Sequence, residues 1–130
     1  MGAVTTRVAV IAAALLASAV FPGPAAAGQT DDGATFTRDV LPIFQRSCQQ
    51  CHRPGTSAPM SLLTYAETRP WARAIRDRVV ARQMPPWHID RSIGEYVADP
   101  SLSDDEIATI VAWVEAGAPR GNPADAPPPL

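Results

Sequence analysis

Two cysteines and one histidine form the tightest cluster of reactive side chains in this sequence. Cys48-Gln49-Gln50-Cys51-His52 places two thiols three positions apart and follows the second directly with an imidazole. Cys-x-x-Cys-His is the attachment pattern for c-type haem. The two thiols of one turn add across the two vinyl groups on one porphyrin edge, and the adjacent His binds iron axially. Thioether bonds then keep the group in a domain too small to wrap it. Three other chemistries are weighed against this one. A Cys48–Cys51 disulfide would close a tiny loop and staple almost nothing. A thioredoxin-type pair belongs at a helix N-terminus after a strand, whereas this pair closes the C-terminal end of a helical pattern. A zinc site could draw on Cys48, Cys51, His52 and His88, but adjacent Cys51 and His52 fit poorly with zinc-ligand spacings.

An axial His implies a second ligand on the opposite face. Met84, His88 and Met60 are the candidates, with an open sixth position as the fourth possibility. A thioether favours reduced iron and suits an electron carrier. Met84 leads because Pro85 and Pro86 restrict its backbone and because the 32 residues after His52 are enough chain to reach the far face. Met60, eight residues after His52, is expected on the proximal side or in the core. His88 would give bis-His ligation. The other ring N–H of such a His normally donates to a carbonyl, and Pro59 is the expected acceptor.

These residues need helices to position them. Asp39 reads as an N-cap, Pro42 falls in the first turn, and Val40, Ile43, Phe44 and Ser47 share one face. Thr64 and Glu67 form a capping box for a short helix. A longer helix is expected from about Pro70 to Gln83, with Trp71, Ile75 and Val79 on its inner side and Arg69, Arg73 and Arg76 outside. Trp71 is expected in the core; Trp87 is read as a pocket wall or core. Ser103 and Glu106 cap the last helix, Leu102 and Ile107 are placed as a hydrophobic staple, and Gly117 ends it. Ile107, Ile110, Val111 and Val114 make its apolar stripe. No strand pattern or internal repeat is evident. The fold class expected is therefore all-α, three main helices with long loops.

The first 27 residues read as a signal peptide: Arg7, an apolar run from Val8 to Phe21, and Ala25-Ala26-Ala27 before the cleavage point. The alternative is an uncleaved anchor, but the run is short of the ~20 residues that span a bilayer, so cleavage is expected, with no stable membrane insertion after it. Residues 28–35 read as a flexible leader, 36–121 as one domain, and 122–130 as a disordered Pro-rich tail. The mature chain carries no Lys and ten Arg against 13 acidic residues, a net charge of −3. That balance argues against a nucleic-acid partner. Export to the periplasm or beyond is the expected destination.

Phe44 four residues before Cys48, the Cys-x-x-Cys-His motif, Met84 in a Pro-containing loop and Trp113 in the final helix together resemble class I cytochrome c. Ala58-Pro59-Met60-Ser61-Leu62-Leu63-Thr64-Tyr65, Arg69-Pro70-Trp71-Ala72 and Met84-Pro85-Pro86-Trp87 resemble, more narrowly, a subgroup of bacterial secreted cytochrome c domains often fused to other redox modules. The resemblance covers roughly Thr35 to Pro123. It implies a cytochrome c-like fold around one covalent haem c, held by Cys48 and Cys51 and ligated by His52 and Met84. It also implies that Phe44 and Trp113 pack where the first and last helices cross. One departure is that the Met ligand of the mitochondrial pattern lies further from the His. Arg78 or Arg82, at the edge of the apolar stripe, is a candidate partner for a haem propionate; a solvated helix face is the plainer reading of the arginines.

The expected function is one-electron transfer with unidentified redox proteins such as a dehydrogenase, oxidase or reductase. The alternatives are a peroxidase-like enzyme or ligand sensor, each needing an open sixth position, and a dithiol redox protein.

Overall fold

A computed structural model describes residues 1–2, 33–87, 89–90, 92–94 and 96–130. The expected signal peptide, its cleavage point after Ala27 and most of the leader fall outside them, as does His88. No helix among the described residues is long and apolar enough to cross a membrane. These residues are helical and contain no strand, as the apolar spacing predicts.

The first helical segment starts earlier than expected. A π-helical turn, Phe36–Val40, runs directly into helix α1, Leu41–Ser47. Pro42 explains the wide turn. It has no N–H for the Arg38 carbonyl, and its ring crowds that carbonyl in a regular helix. Widening lets the Leu41 N–H bond the Phe36 carbonyl instead. Asp39 is therefore not the N-cap. Thr35 holds that position, and Asp39 reaches back to accept the Thr35 N–H at 2.6 Å. Burial pushes the Asp39 carboxyl up, but hydrogen bonds from Arg38 and Thr35 outweigh it and hold the pKa below the usual value. The end of the leader thus belongs to the fold, and Ala34 packs on the core.

Helix α2, Tyr65–Thr68, begins with the expected Thr64–Glu67 capping box and passes through a 3-10 turn, Arg69–Trp71, into helix α3, Ala72–Val80. Helix α3 stops three residues before the expected end. Arg82 takes a left-handed φ of 51°, the Arg82 N–H bonds the Val79 carbonyl, and the Gln83 N–H bonds the Arg78 carbonyl at 2.9 Å. This is a Schellman closure, made just before Pro85 and Pro86 deny the chain more helix. Ala72, Ile75 and Val79 form the buried side of α3. Trp71 does not join them: it lies in the 3-10 turn and is 43% exposed.

Helix α4, Asp104–Glu115, has the expected Ser103–Glu106 capping box. Leu102, Ile110 and Trp113 are buried, and Ile107 and Val114 pack against the core from its edge. Gly117 and Ala118 both have positive φ, and the Ala118 N–H closes on the Trp113 carbonyl at 2.8 Å. Helix α4 packs on α3 and on the Phe36–Val40 turn. Phe36 fills the centre: its ring lies 6.3 Å from Phe44, 5.5 Å from Tyr65 and 6.0 Å from Trp113. Phe44 and Trp113 thus meet through Phe36 at this junction.

Two long-range links close the arrangement. Arg46 of α1 donates to the carbonyls of Asp99 and Ser101 and pairs with Glu106 at 2.6 Å. The tail is also placed rather than loose. Pro123–Asp125 forms a 3-10 turn capped by Asn122, and the Pro128 carbonyl accepts from the Gln45 side chain at 2.9 Å.

Gly121 has a φ of 79°, and a Cβ there would lie 2.6 Å from the Thr35 Cβ and 2.7 Å from the Thr37 Oγ1. Gly121→Ala should lose about 2–4 kcal/mol in denaturant unfolding, from strain plus overpacking. Gly55→Ala, also at positive φ but facing open space, should lose only about 1 kcal/mol. Burial raises the Glu106 pKa, but the Ser103 N–H and Arg46 lower it further, leaving it below 4.5. A depressed carboxylate pKa stabilises above its unfolded value and loses that contribution as pH falls through the folded value. Glu106→Gln should therefore cost about 1 kcal/mol at pH 7, and the gap to the wild-type chain should narrow as unfolding is repeated towards pH 3.

Candidate functional site

The Cys-x-x-Cys-His residues form the turn that leaves α1. The Cys48 and Gln49 N–H groups both bond the Phe44 carbonyl, and the Cys51 and His52 N–H groups return to the Cys48 carbonyl at 3.1 and 2.9 Å. The helix end therefore folds into one tight turn that carries both thiols and the imidazole. Neither cysteine is in a disulfide. Burial pushes the Cys48 thiol up to about 12. A nucleophilic dithiol needs the opposite, a thiol held below its ordinary pKa.

The loop from Arg53 to Leu63 is pinned onto this turn. The Leu62 N–H donates to the His52 carbonyl at 3.0 Å, and the buried Gln49 side chain donates to the Leu62 carbonyl at 2.9 Å. The Thr56 hydroxyl bonds the Cys51 and Arg53 carbonyls. His52 itself is 9% exposed, and its Nδ1 lies 3.2 Å from the Met60 carbonyl. A carbonyl only accepts, so Nδ1 carries a proton, and in the neutral ring Nε2 is the nitrogen with the lone pair. The acceptor is Met60, one residue beyond the expected Pro59. The Leu62 anchor sets that register by drawing the Met60 peptide over the imidazole.

His52 opens into a cavity of about 420 Å³, within the ~300–1,000 Å³ typical of ligand sites. One wall is Pro59, Met60 and Leu62; another is Trp71, Ala74, Ile75 and Arg78; Gln83 and Met84 complete it. The lining is mostly apolar. Met84 is 40% exposed and reaches this wall because the Schellman closure of α3 turns the chain back at Arg82. The structure therefore brings together His52, Met60 and Met84 in one cavity. Cys48 and Cys51 do not line it; they share the turn that delivers His52 to it. Trp87 is exposed and lines an adjoining cavity with Met84.

The donor set suits a covalent porphyrin. Two unbridged thiols precede a buried imidazole whose free Nε2 is fixed by a hydrogen bond on Nδ1, and a thioether shares its cavity. Among the described residues no group of three or more His, Cys, Asp or Glu side chains is gathered for a bare metal ion. A larger groove of about 660 Å³ runs past Arg82, Asp90 and Asp104 and contains none of these residues.

Sequence reasoning missed three residues of this site. Trp71, expected in the core, lines the cavity. Gln49, within the motif, passed unremarked although its side chain ties the loop down. Gln83, expected only as the end of the longer helix, lines the cavity; its position before Met-Pro-Pro is the available signal. Gln49→Ala should lower stability by about 1–3 kcal/mol, because it strands the buried Leu62 carbonyl. It should also speed amide exchange of residue 62 more than that of α4.

Comparison with protein-family models, with curated proteins and with solved structures finds no match to this chain, so the residues of the site carry its interpretation.

Proposed function

We propose that this protein is an exported c-type cytochrome that carries single electrons through one covalent haem. Cys48 and Cys51 would hold the group by thioethers, and His52 and Met84 would ligate its iron. The observation that carries this reading is the shared cavity. Residues 32 apart in sequence line the same mostly apolar space, one a buried imidazole with Nε2 free and the other a thioether. Packing of the last helix on the first segment, with Phe36, Phe44 and Trp113 at the junction, supports a cytochrome c-like fold. The high pKa of Cys48 weakens the dithiol alternative.

When bound, the haem supplies an iron that cycles between two oxidation states. The chain's own residues do the rest. The Met60 carbonyl orients the His52 ring and makes its Nε2 a better donor. The apolar walls exclude water and so favour the less charged, reduced state. Met84 would supply the second ligand, so little rearrangement would accompany electron transfer. Trp71 and Met84 are both partly exposed, which leaves an edge of the cavity open to a redox partner. Met60 is tied through its carbonyl to the imidazole and packs against the core.

The test is the visible spectrum of protein exported in a host that attaches c-type haem. Sharp low-spin reduced bands, and a weak far-red Met-to-iron band on oxidation, are expected. Met84→Ala should lose that band and turn high-spin, whereas Met60→Ala should keep it. A high-spin wild-type spectrum with fast carbon monoxide binding would move the protein to the enzyme or sensor class. Absence of haem, with another cytochrome matured normally in the same cells, would overturn the reading.

A further inference from the structure

We propose that Arg78, braced by Gln83, is the anion anchor of the His52 cavity and receives a carboxylate of the bound porphyrin; this rests on the haem reading above. Ile75 and Arg78 stand one helical turn apart on α3 and both line the cavity, so its apolar helical wall ends in a guanidinium. Arg78 Nη1 donates to the Gln83 side-chain carbonyl oxygen, and the Gln83 N–H donates to the Arg78 carbonyl at 2.9 Å. The Schellman closure of α3 therefore holds both side chains at the cavity's edge.

Partnering separates Arg78 from Arg76 and Arg82. Arg76 pairs with Asp77 and Arg82 with Asp104. Among the described residues, no carboxylate lies within ion-pair distance of Arg78. Gln83 uses one of its five N–H donors, and the remaining fork matches a carboxylate in two-point geometry. Arg82, the other candidate from sequence, lines the neighbouring grooves rather than the His52 cavity and is already bonded to Asp104. A porphyrin held at one edge by thioethers and at the iron by His52 is positioned further by a charge-assisted bond at its carboxylate edge. The guanidinium would offset the negative charge of that carboxylate near the iron and so favour the reduced state.

The test compares midpoint potentials of the holoproteins. Arg78→Gln should keep the low-spin spectrum and lower the potential, so that at the wild-type midpoint the reduced-to-oxidised ratio falls about two- to fivefold, the range of a partly exposed ion pair. Arg78→Lys should recover part of the shift, and Gln83→Ala should give a smaller shift in the same direction. Arg82→Gln should leave the potential in place. The propionate bending band in resonance Raman spectra should move in Arg78→Gln only. A normal haem spectrum with unchanged potential and Raman band in both Arg78 variants overturns this proposal and leaves the haem reading standing. Absence of haem from the wild-type protein overturns both.

Discussion

The Trp113 indole, the first N–H groups of the Phe36–Val40 turn and the Tyr65 hydroxyl find their partners on the short stretch of chain after α4. The Pro119 carbonyl accepts both the Trp113 indole N–H at 2.9 Å and the Phe36 N–H at 3.0 Å. The Arg120 carbonyl accepts the Thr37 N–H and hydroxyl, and the Ala118 carbonyl accepts the Tyr65 hydroxyl at 2.9 Å. A helix start leaves its first N–H groups without partners, and an unpaired buried donor costs about 1–3 kcal/mol. Phe36, Phe44 and Trp113 are almost wholly buried together, each contributing on the order of 1.5–3 kcal/mol. That gain would be cut sharply if the polar atoms among them went unpaired. One strip of carbonyls therefore lets the first segment, α2 and α4 converge on a single aromatic cluster.

The cavity depends on this junction indirectly. Fixing the Phe36–Val40 turn against α4 also fixes α1 behind it, and α1 ends in the Cys48–His52 turn. Packing of α4 on α3 fixes the opposite wall. The Arg53–Leu63 loop bridges the two, with Leu62 buried in the core and its backbone bonded to both Gln49 and His52. His52 is thus set by the first segment and Met84 by the end of α3, and their relation is a property of the helix packing between them.

A small domain of this kind has a modest apolar interior. A covalent cofactor lying against Leu62 and Ile75, which are both buried in the core and line the cavity, would extend it. This links the proposed chemistry to stability: the wall that would exclude water from the iron is also part of the core.

Features that close within a single turn could be read directly from the order of residues. The Thr64–Glu67 and Ser103–Glu106 capping boxes, the Gly117 stop, the Cys48–His52 motif and the all-α class were all legible, because each depends on bonds between residues at most a few positions apart. Tertiary structure decided the rest. Phe36 sits at the aromatic centre because Pro42 widens the turn before it and because Pro119 and Arg120, over 80 residues away, complete its helix start; its spacing from Val40 and Phe44 was the signal available. Trp71 is at the cavity rather than in the core because the 3-10 turn rotates it off the buried side of α3. The Met60 carbonyl replaces Pro59 as the His52 partner because Leu62 sets the loop register. The Pro-rich tail is placed because Gln45 offers it a donor, and Arg78 is singled out from Arg82 because only Arg82 meets Asp104. In each case the deciding partner lies on a different element or across a loop, where spacing along the chain carries no information and the competition for burial and hydrogen bonds settles the outcome.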